Sequence, residues 1–179
     1  MTLPPVTLIL GGARSGKTAR AEALVLGSGL EPVYLATAQA LDEEMRARIE
    51  RHRRERGTAW RTLEEPLALP ERLREVAAPG RGVLVDCLTL WLTNLMLAER
   101  PVEAEGERLV TALRGLAGPV VLVSNEVGLG IVPMEPMSRA FLDHAGRLHQ
   151  KIAALADWVQ LMAAGLALDL KRPDARCTS

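Results

Sequence analysis

Val6-Thr7-Leu8-Ile9-Leu10 runs into Gly11-Gly12-Ala13-Arg14-Ser15-Gly16-Lys17-Thr18, and Ala19, Ala21, Glu22, Ala23 and Leu24 follow. The middle octet fits G-x-x-x-x-G-K-[ST] at every required position. Its flanks matter as much as its letters. An apolar strand enters the loop and a helix leaves it, so backbone N–H groups and a helix N-terminus can face a polyphosphate. In that setting Lys17 is expected to reach the β and γ phosphates and the Thr18 hydroxyl to coordinate Mg²⁺. A chance glycine-rich turn would not come with strand, loop and helix in register.

Working outward, apolar runs of strand length recur at Val33 to Thr37, Val83 to Asp86, Pro119 to Ser124 and Asp157 to Met162. They are apolar at consecutive positions, as strands of a parallel sheet are when helices cover both faces. A weaker run, Ala59 to Leu63, and a last pair split by Gly165, with Leu166 to Leu170 returning as an edge hairpin, bring the expected sheet to seven strands. Helices are expected near Lys17 to Leu26, Asp42 to Arg56, Leu69 to Ala77, Leu88 to Ala98, Val102 to Leu116 and Ser138 to Ala156. The class is α/β, one P-loop domain over residues 1–171. The end, 172–179, is polar and contains Pro173, so a frayed tail is expected there.

The chain of 179 residues is 48% apolar and 25% charged, the composition of one globular domain. Lys plus Arg (22) balances Asp plus Glu (22), so no net positive field favours a nucleic acid or an acidic membrane. Aromatic residues make up 3%, too few for a base-stacking platform. Cys87 and Cys177 stand far apart with no Cys/His cluster, which encodes neither a disulfide framework nor a structural zinc site. No apolar run has the length of a membrane span and no signal peptide is evident, so a cytoplasmic protein is expected.

Two further positions carry chemistry. Val83-Leu84-Val85-Asp86 is an apolar run ending in a carboxylate; an Asp there can merely cap the next helix, but beside an established phosphate loop the run has the form expected of the acid that holds Mg²⁺. A self-contained GTPase switch is disfavoured, because N-K-x-D is missing and Asp143-His144-Ala145-Gly146 falls inside an expected helix. On the expected helix from Asp42, Leu41, Met45 and Ile49 step by four and His52 follows by three, closing the inward stripe. Arg48, Arg51, Arg53, Arg54 and Arg56 around it would keep the imidazole neutral and attract a polyphosphate. Spacing alone favours a partly buried histidine in a solvated, charge-rich helix. His144 and His149, on another helix, read as packing or surface residues.

Together these segments resemble a family. The phosphate loop, then Tyr34-Leu35-Ala36-Thr37-Ala38, Asp42-Glu43-Glu44-Met45 with Arg48-Ile49 and His52, and Trp60-Arg61-Thr62 are similar to the bifunctional adenosylcobinamide kinase/adenosylcobinamide-phosphate guanylyltransferases. Asp86-Cys87-Leu88-Thr89 with Thr93-Asn94-Leu95, Asn125-Glu126-Val127-Gly128 with Ile131-Val132-Pro133, and Arg139 with Asp143, Gly146 and Gln150 continue the pattern in order, over about residues 6–170. The resemblance implies a RecA-like P-loop fold, commonly a homotrimer. It implies phosphorylation of adenosylcobinamide by ATP or another nucleoside triphosphate, then transfer of GMP from GTP to give adenosylcobinamide-GDP in cobalamin synthesis and salvage.

The family's guanylylated histidine falls on His52, which would form a covalent phosphoramidate. Some relatives carry two adjacent histidines where this chain has Arg51-His52, which leaves one candidate nucleophile. Glu126, in the loop after a central strand, is a candidate for substrate or metal contact or else a loop cap. The rival readings are a kinase for another small alcohol, with His52 structural, and a RecA-like ATP-binding module.

Overall fold

The computed structural model describes residues 2–39, 43 and 59–172. Twelve elements follow one another: β1 (Val6–Gly11), α1 (Lys17–Leu26), β2 (Glu31–Ala36), β3 (Arg61–Glu64), α2 (Leu69–Val76), β4 (Arg81–Asp86), α3 (Leu88–Leu97), α4 (Val102–Leu113), β5 (Val120–Asn125), α5 (Pro136–Leu155), β6 (Trp158–Ala163) and β7 (Leu166–Lys171). The strands form one seven-stranded sheet in the order β3-β2-β4-β5-β1-β6-β7. Six run parallel, and β7 closes the edge antiparallel to β6. The α/β class and the edge hairpin expected from the apolar runs are therefore present. Apart from position 43, the expected helix from Asp42 to Arg56, with His52, and the polar tail beyond Arg172 lie outside the described residues.

Consecutive apolar residues are needed because each central strand feeds two cores. Leu35, Val85, Leu122, Leu8 and Val159 pair side by side across five strands and face α2, α3, α4 and α5. Their neighbours Tyr34, Leu84 and Val121 point to the opposite face, where Ala21, Leu24 and Val25 of α1 cover them. Burying a side chain of this size contributes about 1.5–3 kcal/mol, so a one-residue slip of any central strand would forfeit both faces at once. On α3, Leu88, Trp91, Leu92 and Leu95 repeat at helical spacing and are buried, and the Trp91 indole N–H is satisfied by the Leu67 carbonyl at 2.9 Å.

Several boundaries differ from the sequence reading. The strand expected from Ala59 begins at Arg61, because Trp60 turns its ring into the core against Tyr34. The helix expected at Ser138 starts at Pro136, since the Glu135 carboxylate accepts the N–H groups of Met137 and Ser138 and proline suits the first turn. The helix expected to reach Leu116 ends at Leu113, just before Gly115. No described helix is long and apolar enough to cross a membrane.

Candidate functional site at the carboxyl edge of the sheet

Parallel strands bring their carboxyl ends to one edge, and here that edge collects Gly11, Ala36, Asp86 and Asn125 from four adjacent strands. Because β5 lies between β1 and β4, the Asn125-Glu126 segment sits between the phosphate loop and Asp86.

The loop is built by backbone needs. A Cβ at Gly11 would come within 2.5 Å of Ser15 Oγ and 2.8 Å of the Met162 carbonyl oxygen, so only glycine fits. Gly16 precedes α1 at φ 91°, a left-handed conformation that glycine adopts without the side-chain clash other residues meet. No side chain caps α1, and its N-terminal N–H groups point toward the place a phosphate would occupy. Arg14, also left-handed at φ 56°, sits with Gly12 and Ala13 on the exposed rim. The Lys17 ammonium donates to the Gly12 carbonyl at 3.0 Å, arching back over the loop.

Thr18 and Asp86, 68 positions apart, meet: the threonine hydroxyl donates to Asp86 Oδ2 at 3.2 Å. A second hydroxyl, that of Tyr34, donates to the same oxygen at 2.6 Å. Asp86 lies beside the helix face of the loop rather than over the start of α3, so its carboxylate serves the Thr18 side and not the next helix, which has no side-chain cap. Among the described residues no cluster of three or more His, Cys, Asp or Glu forms a metal cage. One hydroxyl and one carboxylate beside a phosphate loop form a hard-oxygen set. Such a set suits Mg²⁺, which keeps several waters and takes its remaining ligands from substrate phosphates.

Around this pair the strand ends are knitted together. The Thr37 hydroxyl donates to the Cys87 carbonyl at 2.7 Å and accepts the Cys87 N–H at 2.9 Å. The buried Asn94 amide donates to the Thr37 carbonyl at 2.7 Å and to the Pro66 carbonyl at 3.1 Å, holding β2 and the approach to α2 against α3. Asn125 Nδ2 donates to Thr89 Oγ1 at 3.0 Å. Burial, with the Asp86 charge beside it, pushes the Cys87 thiol up from its ordinary value, which leaves it protonated and unsuited to nucleophilic work.

Glu126 accepts the Gly128 N–H at 2.6 Å through Oε1, so one of its oxygens closes the loop that follows β5. His149 is buried at 7% exposure, and its Nε2 lies 2.7 Å from Ser124 Oγ, in keeping with a packing role. Desolvation lowers its pKa, against the opposing pull of Glu126.

The fold brings Thr18 of the Gly11 to Thr18 loop against Asp86, and around them stand Tyr34, Thr37 and Asn94, which spacing in the sequence did not single out. A tyrosine within an apolar run reads as core, and the polar ends of strands read as turns. The one available signal was their place in the blocks of the resemblance.

Known proteins place the chain in a family. A family model described as cobinamide kinase / cobinamide phosphate guanyltransferase matches residues 7–170. The bifunctional adenosylcobalamin biosynthesis protein CobP of Pseudomonas aeruginosa is 55% identical, over 92% of this chain and 96% of that protein. CobU of Escherichia coli, named as a bifunctional adenosylcobalamin biosynthesis protein, is 41% identical over 92% and 98% of the two chains. Among solved structures, the flagellar accessory protein FlaH from Methanocaldococcus jannaschii superposes with a TM-score of 0.56 at 12% identity, over 96% of this chain and 80% of that one. The RadB recombinase follows with a TM-score of 0.52 at 16% identity, over 89% and 75%. These two likenesses concern the fold alone, a RecA-like P-loop ATPase fold. With the family model and both relatives covering nearly all of its length, the chain belongs to the cobinamide kinase / cobinamide phosphate guanyltransferase family of enzymes.

Proposed function

We propose that this protein phosphorylates adenosylcobinamide and then guanylylates the product, both at the carboxyl edge described above. In the first reaction the substrate's aminopropanol hydroxyl oxygen attacks the γ phosphorus of a nucleoside triphosphate, the bond to the β-phosphate oxygen breaks, the nucleoside diphosphate leaves and the hydroxyl proton passes to water. Lys17 and the α1 N-terminus hold the transferring charge, which is the main task of a protein in phosphoryl transfer. Thr18 and Asp86 would hold Mg²⁺, which when bound would neutralise charge across the phosphates.

In the second reaction a neutral His52 nitrogen attacks the α phosphorus of GTP and pyrophosphate departs. An oxygen of adenosylcobinamide phosphate then attacks the same phosphorus, releases the imidazole and yields adenosylcobinamide-GDP. The loop binds triphosphate in both steps. The corrinoid lies across the strand ends, with Glu126 at its margin. The enzyme works as a homotrimer in the cytoplasm, without nucleic-acid or membrane partners.

The observation that supports this most is the meeting of Thr18 and Asp86 at an uncapped phosphate loop, in a chain of this family. The test is to incubate purified protein with adenosylcobinamide, ATP and GTP and to weigh the products. A gain of one phosphoryl group, followed by a gain of GMP with release of pyrophosphate, is expected. A product stopping at the phosphate would leave a simple kinase. Polynucleotide-stimulated ATP hydrolysis with no corrinoid product would favour the ATP-binding module.

A further inference from the structure

We propose that Tyr34 is a positioning residue for the metal-facing carboxylate, locking Asp86 in the orientation that Mg²⁺ requires. The inference rests on the reading of Thr18 and Asp86 as the magnesium pair. Tyr34 is 4% exposed, in the middle of β2, on the same face of the sheet as α1. Two pairing steps along, Ala36 lies beside Asp86, so the tyrosine ring rises along that face until its hydroxyl reaches the carboxylate.

The bond to Asp86 Oδ2, at 2.6 Å, has the length of a charge-assisted O–H···O⁻ bond, whereas that from Thr18 is 3.2 Å. The shorter bond belongs to the residue outside the proposed magnesium pair. Trp60 meets the Tyr34 ring edge to face, with centroids 5.7 Å apart and planes at 89°, which fixes the ring against rotation. The result is a rigid line from Trp60 through Tyr34 to Asp86 and on to Thr18.

Both hydroxyls converge on Oδ2. Among the described residues Oδ1 receives no hydrogen bond, so it is the oxygen presented to water around a metal. Removing the Tyr34 hydroxyl would free the carboxylate to rotate about its last bond and leave Thr18 as its sole tether among the described residues. Groups that orient a metal-binding carboxylate in this way typically matter about 10- to 100-fold in metal affinity.

The test compares Tyr34→Phe and Asp86→Asn with the wild type by calorimetry of ATP binding, first in chelator and then across a Mg²⁺ titration. Tyr34→Phe keeps the ring and its contact with Trp60. It should leave metal-free ATP affinity unchanged while raising the Mg²⁺ concentration for half-maximal tightening about tenfold. Asp86→Asn should raise it at least as far. If Asp86→Asn shifts the titration and Tyr34→Phe does not, the positioning role is wrong while the magnesium site stands. If neither shifts it, the magnesium pair itself is misassigned.

A second readout needs no mutation. The chain has one tyrosine, so fluorotyrosine labelling gives a single ¹⁹F resonance. That resonance should move when Mg²⁺ joins bound ATP and stay put with ATP alone; the absence of any Mg²⁺-dependent movement would overturn the proposal.

Discussion

Lys17 holds the Gly12 carbonyl at 3.0 Å, a contact that the proposed function would have it exchange for phosphate oxygens. Lys17→Ala removes the fixed charge from a site built for electrostatic stabilisation. It should cost about 10²-fold or more in the turnover of both reactions, checked by the rates of ADP and pyrophosphate release. His149 gives a residue-scale prediction of another kind. Burial lowers its folded-state pKa below the ordinary value near 6.5 that the unfolded chain keeps. Below that value the unfolded chain takes up a proton that the folded one resists, so stability should fall as pH drops from about 7 through this window. Denaturant unfolding at several pH values should show that slope, and His149→Gln should flatten it.

At this scale the sequence was legible wherever one residue type answers one geometric need, as with Gly11, Gly16, Lys17 and Thr18. It was silent about Tyr34, whose neighbours Val33 and Leu35 are core residues and whose role depends on which carboxylate its hydroxyl meets in space.

Among the elements, the β6–β7 hairpin does more than close the sheet. Ala163 pairs with Leu166, leaving a two-residue turn of Ala164 and Gly165 at φ 50° and 80°, as the primed hairpin turn demands. The tip of this turn docks on the phosphate loop. The Gly165 N–H donates to the Ser15 carbonyl at 3.0 Å, and a Cβ at Gly16 would come within 3.2 Å of Gly165 Cα. A Cβ at Gly165 itself would meet nothing within 4 Å, so only its backbone conformation is constrained.

Gly165→Asn, which tolerates the left-handed region, should therefore leave melting and ATP affinity near those of the wild type. Gly165→Val should cost about 1–2 kcal/mol, at roughly 2–4 °C of Tm for each, and should also weaken ATP binding by tilting the turn away from Ser15. Thermal melts with and without ATP would separate the two effects. Equal ATP affinity in both variants would show that the docking is incidental. The hairpin was readable from Gly165 between two apolar runs. Its contact with Ser15 was not, because no local pattern encodes a meeting of residues 150 positions apart.

For the whole molecule, consecutive apolar positions disclosed a parallel sheet with two covered faces, but not the order of its strands. Order depends on which crossovers pack well, and it is the insertion of β5 between β1 and β4 that sets Glu126 beside the phosphate loop. The strand ends that carry Gly11 and Asp86, the proposed nucleotide end of the site, were thus legible in outline in the chain. The guanylyl acceptor rests on the likeness of the His52 segment to the family, since His52 lies outside the described residues.

The central claim is that one phosphate loop serves two transfers and that His52 separates them. It is tested most directly by exposing wild type and His52→Ala to GTP labelled at the α phosphorus, with kinase turnover followed in parallel. The wild type should retain one GMP per chain, stable in alkali and released by acid as a phosphoramidate is, with labelling falling as the imidazole protonates. His52→Ala should carry no label and still phosphorylate adenosylcobinamide. Label persisting in His52→Ala, or found on His144 or His149, would contradict the account, as would adenosylcobinamide-GDP forming while neither protein is labelled.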